Sequence, residues 1–190
     1  MPAGERIGSM PIHHVGYVVD DIHEAIAQWE RVFGAGPFTV LDKVAFDELT
    51  VDGQTATVGH SAAFGPCGGQ LVELQAYQDV RPEGLRERLL GPRRPGIHHI
   101  AIAAPEAERE SERLASLGYP VVVRARSGPF QIFWHDTLDA LGFLVEVHRS
   151  GPDFDAFFAG VRSGGARPVN VPGHSGANGP EAFLSTSAAR

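Results

Sequence analysis

One phrase is written twice in this chain, and it limits the folds available. Residues 12–19 read IHHVGYVV, and residues 97–104 read IHHIAIAA. Each is a short apolar run that opens on paired histidines and leads into an acidic, helix-like segment. A second phrase also recurs: LVEL at 71–74 and LVEV at 144–147. The order His, Glu, His, Glu is therefore spread over a duplicated scaffold. A unit that supplies one imidazole and one carboxylate per copy can assemble a four-ligand metal site from two copies.

The local signals place these phrases on strands. Ile12–Val19 reads as a strand, and Asp21 with Glu24 three residues on reads as a capping box. Ile22, Ala25, Ile26, Trp29 and Phe33 then fall at helical spacing, with Trp29 and Phe33 read as helix core, and Gly34 and Gly36 end the helix. Strand-like runs follow at Phe38–Phe46, Thr55–Phe64 and Gln70–Tyr77, so the first half reads β-α-β-β-β. The second half repeats the order: Ile97–Ala103 as strand, Pro105–Leu117 as helix, then Val121–Arg126, Phe130–His135 and Gly142–His148 as strands. The spacing from His14 to Glu73 is 59 residues and from His99 to Glu146 only 47, which gives the first copy longer loops. The expected organisation is a first module at 11–79, a polar linker at 80–95, a second module at 96–149 and an extension at 150–190. In that extension Phe154, Phe157 and Phe158 suggest a short docking helix. From Gly164 onward the Gly-, Pro- and Ser-rich composition predicts a flexible tail.

Strand alternation separates the paired histidines. His14 shares a face with Gly16, and His99 shares one with Ala101. His13 and His98 lie on the faces with larger apolar residues. A metal or substrate cavity needs room, so His14 and His99 are the ligand candidates, with His13 and His98 as packing neighbours. Glu73 and Glu146 sit inside apolar strands, where an unpaired charge would cost several kcal/mol. A divalent cation would relieve that cost. Two imidazoles and two carboxylates suit Zn, Fe, Co, Ni or Mn. A single strand histidine is more often structural than a ligand; the duplicated phase of all four residues favours a site.

Bulk properties exclude other classes. A net charge of -7 argues against non-specific nucleic-acid binding. Cys67 is the sole cysteine, so no intrachain disulfide can form. The start MPAGERIGSMP has no signal-peptide apolar stretch, and no run approaches the roughly 20 apolar residues of a membrane helix. A soluble cytoplasmic protein is expected.

HHVGYVVDDIHEAIAQWERVFG with LVEL, then HHIAIAA with LVEV, resembles the vicinal oxygen chelate superfamily, which includes glyoxalase I, methylmalonyl-CoA epimerase, bleomycin- and fosfomycin-resistance proteins and extradiol dioxygenases. The resemblance covers about Pro11 to Arg149. It implies an α+β fold of two tandem βαβββ modules that form a cupped, eight-stranded barrel-like sheet with helices outside. It implies one divalent metal held by His14, Glu73, His99 and Glu146, with His14 seven residues before Asp21 as in the family. Completion of the open side by a second copy implies a homodimer. All four ligand positions are filled, unlike those of bleomycin-binding proteins, and a fourth protein ligand departs from the two-histidine, one-glutamate set of extradiol dioxygenases. GHSAAFGPCGGQLVELQAY resembles the epimerase and glyoxalase-like subgroup, although epimerases often carry glutamine where Glu73 stands. No set of arginines identifies a glutathione site.

The expected activity is that of a metal-dependent lyase or isomerase. It would move a proton next to a carbonyl of a small 2-oxo or thioester substrate, with Glu146 and Glu73 as candidate catalytic carboxylates. The alternatives are an iron-dependent dioxygenase and a metal-free small-molecule-binding protein. Among other residues, His60 reads as a surface histidine in preference to a pocket donor, and Asp47 and Glu48 as a solvated turn. Trp134 reads as core or pocket lining, and Gln75, Tyr77 and His148 as bordering the cup or facing solvent.

Overall fold

A computed structural model describes residues 10–90 and 95–164. The tail expected beyond Gly164 lies outside the described residues. The chain runs β1 (Ile12–Val18), α1 (Ile22–Phe33), β2 (Thr39–Val44), β3 (Glu48–Val51), β4 (Gln54–Thr55), β5 (Thr57–Cys67) and β6 (Gln70–Arg81). It continues through a 3-10 turn (Glu83–Leu85) into α2 (Arg86–Leu90) and β7 (Gly96–Ala104). Then come α3 (Ala107–Ser116), β8 (Val121–Ser127), β9 (Phe130–His135), α4 (Leu138–Leu141), β10 (Leu144–Arg149) and α5 (Pro152–Ser163). No helix among the described residues is long and apolar enough to cross a membrane.

All strands among the described residues belong to one mixed sheet of order β2-β5-β6-β1-β7-β10-β9-β8-β3-β4. The two strands that carry the repeated phrase, β1 and β7, pair antiparallel at its centre, and each is parallel to a glutamate strand, β6 or β10. Parallel strands need a crossover helix, which α1 and α3 supply. The α+β class is as expected, but the sheet has ten strands rather than eight. The extra pair is the β3–β4 hairpin, cut from the longer loop of the first half. It docks on β8 in the second half; Asp47 and Glu48 are both exposed, as read from the sequence, and Asp47 lies in a bend while Glu48 begins the strand. Glu48 opens β3 opposite Arg126, and the Arg126 guanidinium donates to Glu48 at 2.8 Å and to Asp47 at 3.2 Å.

Local chemistry explains the elements. Asp21 caps α1 by accepting the Glu24 backbone N–H at 2.8 Å, and Gly34 ends the helix at φ 63, in the left-handed region. Ile22 and Ala25 face the sheet. Phe33, expected as helix core, is instead 61% exposed, with its ring 4.9 Å from that of Trp29. In the stretch read as a linker, β6 continues to Arg81, and Leu85, Leu89 and Leu90 are buried in the main core. The expected docking helix is α5, with Pro152 in its first turn. Phe154, Phe157 and Phe158 are buried against Phe64 and Leu71, at about 1.5–3 kcal/mol for each ring fully removed from water.

The sheet curls into a half-barrel. Residues of β2 and β5 on one side and of β8 and β9 on the other line a single cavity, and α5 adds Phe157 and Phe158 to its wall.

Candidate metal centre

Two rungs across the middle of the sheet build the site. Gly16 on β1 is in register with Glu73 on β6 and His99 on β7. Ala101 on β7 is in register with Glu146 on β10 and His14 on β1. Each rung therefore sets a carboxylate and an imidazole on either side of a small residue. Strands lie about 4.8 Å apart, so the outer two backbones of a rung are too distant for direct contact. Their long side chains lean inward over the small residue and meet. A Cβ placed on Gly16 would fall 2.1 Å from His99 Cε1, so the His99 ring occupies the space that a side chain at residue 16 would take.

The two rungs converge. His14, Glu73, His99 and Glu146 are all buried, and each offers one donor atom, all within 4.8 Å of one another. His14 Nε2 lies 3.2 Å from Glu73 Oε2 and 3.2 Å from Glu146 Oε2. His99 Nε2 lies 3.2 Å from Glu73 Oε2, 3.0 Å from Glu146 Oε2 and 3.3 Å from His14 Nε2. Ligands about 2.0–2.1 Å from a common ion stand roughly 3.3 Å apart in a tetrahedron. The spacing therefore fits a transition-metal ion. Glu146 Oε2 supports the fit. It is buried and has three imidazole nitrogens within reach, yet it accepts no aligned hydrogen bond.

The neighbours of these four residues hold them in position. Trp134 Nε1–H donates to Glu146 Oε1 at 2.7 Å, which turns Oε2 toward the histidines, and its ring stacks on His99 at 5.8 Å. His98 Nε2 lies 2.7 Å from the Leu89 carbonyl, which can only accept, so this nitrogen carries the proton. Burial, aided by the nearby His99 charge, pushes the His98 imidazole down to about 4, and it is neutral. Its Nδ1 is then the acceptor for His99 Nδ1–H at 2.9 Å. The chain Leu89–His98–His99 thus leaves His99 Nε2 for the cluster, as the partners of metal-bound histidines generally do. The first copy repeats the device: His13 Nδ1 lies 2.9 Å from His14 Nδ1, and burial with the His14 charge pushes His13 down to about 3. His13 and His98 are therefore more than the packing neighbours read from the sequence. The signal for this role was already present in the doubled histidine of each phrase.

In the protein alone, the cluster holds protons. Burial opposes charge on His99, but the adjacent Glu146 and Glu73 carboxylates raise it to about 10. His14 is raised as well: burial opposes the charged form, and the adjacent Glu146 and Glu73 carboxylates outweigh it. Burial would raise both carboxyls, yet the histidines beside them hold them below the usual carboxylate range.

The cavity beside this cluster has a volume of about 90 Å³, and Glu146 and His148 are among its lining residues. His60 also lines it, which overturns the surface reading. This residue is 5% exposed, stacked between Phe46 and Tyr77 at 5.5 and 4.7 Å, and neither ring nitrogen has a hydrogen-bond partner. His148 and Gln75 face the same space rather than solvent. Tyr77 O–H donates to Gln75 Oε1 at 2.8 Å.

Comparison with known proteins agrees with this architecture. The family model described as the Glyoxalase/Bleomycin resistance protein/Dioxygenase superfamily matches residues 13–132, a span that holds His14, Glu73 and His99 and stops short of Glu146. Among solved structures, methylmalonyl-CoA epimerase from Mycobacterium tuberculosis is similar with a TM-score of 0.52 at 23% identity, over 76% of this chain and 91% of that one. A hypothetical protein from Bacillus halodurans C-125 is similar with a TM-score of 0.50 at 19% identity, over 76% and 96%. At these identities the likeness concerns the fold alone. No curated protein matches the chain.

Proposed function

The chain belongs to the glyoxalase/bleomycin resistance protein/dioxygenase superfamily, and on that premise we propose that it is a metal-dependent lyase or isomerase, glyoxalase- or epimerase-like. It moves a proton next to a carbonyl of a small 2-oxo or thioester substrate. The observation that carries this reading is the buried four-residue cluster, whose donor atoms lie within 4.8 Å of one another and include a Glu146 oxygen without an aligned hydrogen bond. His14, Glu73, His99 and Glu146 would hold one divalent ion, Zn, Fe, Co, Ni or Mn. When bound, such an ion supplies Lewis-acid polarisation of a substrate carbonyl.

The protein's own groups do the rest. Trp134 keeps Glu146 turned, and His13 and His98 keep the ligand imidazoles turned. Glu146, which borders the cavity, or Glu73 accepts the proton from carbon and returns it at the same or a neighbouring carbon. The apolar walls exclude water, which strengthens each electrostatic contact inside. The homodimer belongs to the same proposal: Val32 and Phe33 are exposed side by side on α1, and sedimentation reads the state.

The test is metal analysis of protein purified without chelators. We expect about one divalent metal per chain, lost in His14→Ala and in Glu146→Ala. Full metal content in both variants would sink the proposal.

A further inference from the structure

The duplicated cup is not symmetric one row beyond its ligand candidates. Gln75 follows Glu73 by two residues on β6, and His148 follows Glu146 by two on β10. Residues two apart on a strand share a face at about 6.6 Å, so each side chain lies one row along from a ligand carboxylate. Both line the cavity. They differ in what they offer it. The two His148 nitrogens are sealed off and lack an aligned partner, and the same holds for those of His60. The Gln75 amide nitrogen also has no hydrogen-bond partner among the described residues, yet it is not sealed off.

The surrounding bonds aim this amide. Tyr77 is buried, and burial holds its phenol well above the usual value, so the hydroxyl stays a donor. Its acceptor is Gln75 Oε1 at 2.8 Å. An amide whose oxygen is taken in this way turns its two N–H groups to the other side. The other side-chain donors in the wall are occupied. Trp134 Nε1–H donates to Glu146 at 2.7 Å, and the Ser127 hydroxyl donates to the Ala45 carbonyl at 2.8 Å. Gln75 is therefore the side-chain donor left open in a mainly aromatic and aliphatic wall. In pockets of this kind a few placed polar groups fix how a ligand lies.

We infer that Gln75 is a specificity-determining residue: its amide N–H donates to an acceptor oxygen on the substrate, one row away from the ligand carboxylates. The substrate then carries an apolar body and, apart from the carbonyl beside which the proton moves, a second oxygen able to accept. His148, the counterpart of Gln75, makes no such contact, so the substrate lies one way round in a cup whose ligand residues repeat. This deepens the proposed function and rests on it.

Two probes that differ in one oxygen test this: cyclohexanone and methylenecyclohexane, titrated into the full-length protein as purified and followed by proton–nitrogen NMR. The Gln75 side-chain amide signals, identified by their loss in Gln75→Met, should move downfield with cyclohexanone and not with methylenecyclohexane. Gln75→Met keeps the length of the side chain and deletes its N–H groups. It should weaken cyclohexanone binding at least about threefold, the worth of one modest hydrogen bond, and change methylenecyclohexane binding less than about twofold. That variant leaves the Tyr77 hydroxyl without its acceptor, so the double variant Gln75→Met with Tyr77→Phe is made beside it and should treat the probes in the same way. Tyr77→Phe alone frees the amide to turn and should weaken cyclohexanone binding but not methylenecyclohexane binding. Equal effects of Gln75→Met on the two probes, or failure of both probes to bind the parent protein, overturn the inference and leave the metal reading intact. Absence of metal from the parent protein overturns the proposed function, and the inference with it.

Discussion

Gly16→Ala tests the construction of the site without touching a ligand. The added methyl carbon would lie 2.1 Å from His99 Cε1, 2.3 Å from Nε2 and 2.6 Å from Nδ1. Ordinary contact begins near 3.4 Å, so the ring has to retreat by at least 1.3 Å, the difference between 3.4 and 2.1 Å. It has nowhere to go cheaply, since Trp134 stacks on it and His98 holds its Nδ1. Overpacking of this kind costs about 1–3 kcal/mol. Metal sites tolerate about 0.2 Å in ligand distance, so a shift above 1 Å removes His99 from the set. We expect metal affinity to fall at least about 100-fold, the upper end for changes beside a ligand. Calorimetric titration with Zn(II) reads the affinity, and thermal melting of the metal-free protein reads the stability. Ala101→Gly, at the equivalent position of the other rung, serves as the control and should leave affinity near the parent value. Gly16→Ala combined with His99→Ala should melt above Gly16→Ala alone, because removing the ring makes room for the methyl. Wild-type affinity and stability in Gly16→Ala would refute the rung argument.

Three further outcomes follow from the same geometry. Trp134→Phe keeps the stacked ring but deletes the N–H on Glu146 Oε1, and metal affinity should drop about 10–100-fold with the fold retained, as read by titration and circular dichroism. His98→Phe leaves the His99 Nδ1–H and the Leu89 carbonyl without their partner, and should weaken metal binding by a similar factor; in the parent protein, long-range proton–nitrogen NMR should show His98 as the Nε2–H tautomer. In the metal-free protein His99 is raised to about 10 from 6.5, so its stabilising contribution is complete below about pH 6.5 and is lost as pH rises toward 10. His13, His60 and His98 are lowered to about 3, 4 and 4, so their contributions are lost as pH falls below 6.5. Urea melts should therefore show a maximum near pH 6.5, and apparent metal affinity should rise with pH as the His99 proton is displaced. A flat profile would contradict these assignments.

Much of the site was legible because it is written with period 2. Alternation along β1 and β7 distinguished His14 and His99 from His13 and His98, and the small residues at 16 and 101 marked the side with room. The duplication linked the four ligand candidates before any pairing was known. The doubled histidines were visible too, but their hydrogen bonds were not, because His98 is fixed by Leu89, which lies in a stretch that reads as polar linker. The burial of His60 is not legible, because a lone histidine on a strand carries no sign of the Phe46 and Tyr77 rings that enclose it.

The sequence alone thus determined the βα order of each half, the caps of α1 and the residue types that converge on the sheet centre. These depend on spacing within a strand or helix and on a repeat that copies that spacing. Tertiary structure decided the docking of the β3–β4 hairpin onto β8, the placement of α5 across the cup and, through α5, part of the apolar lining of the cavity. Those features arise from side chains that meet across dozens of residues of chain, and complementary packing at that range leaves no periodic trace in the sequence.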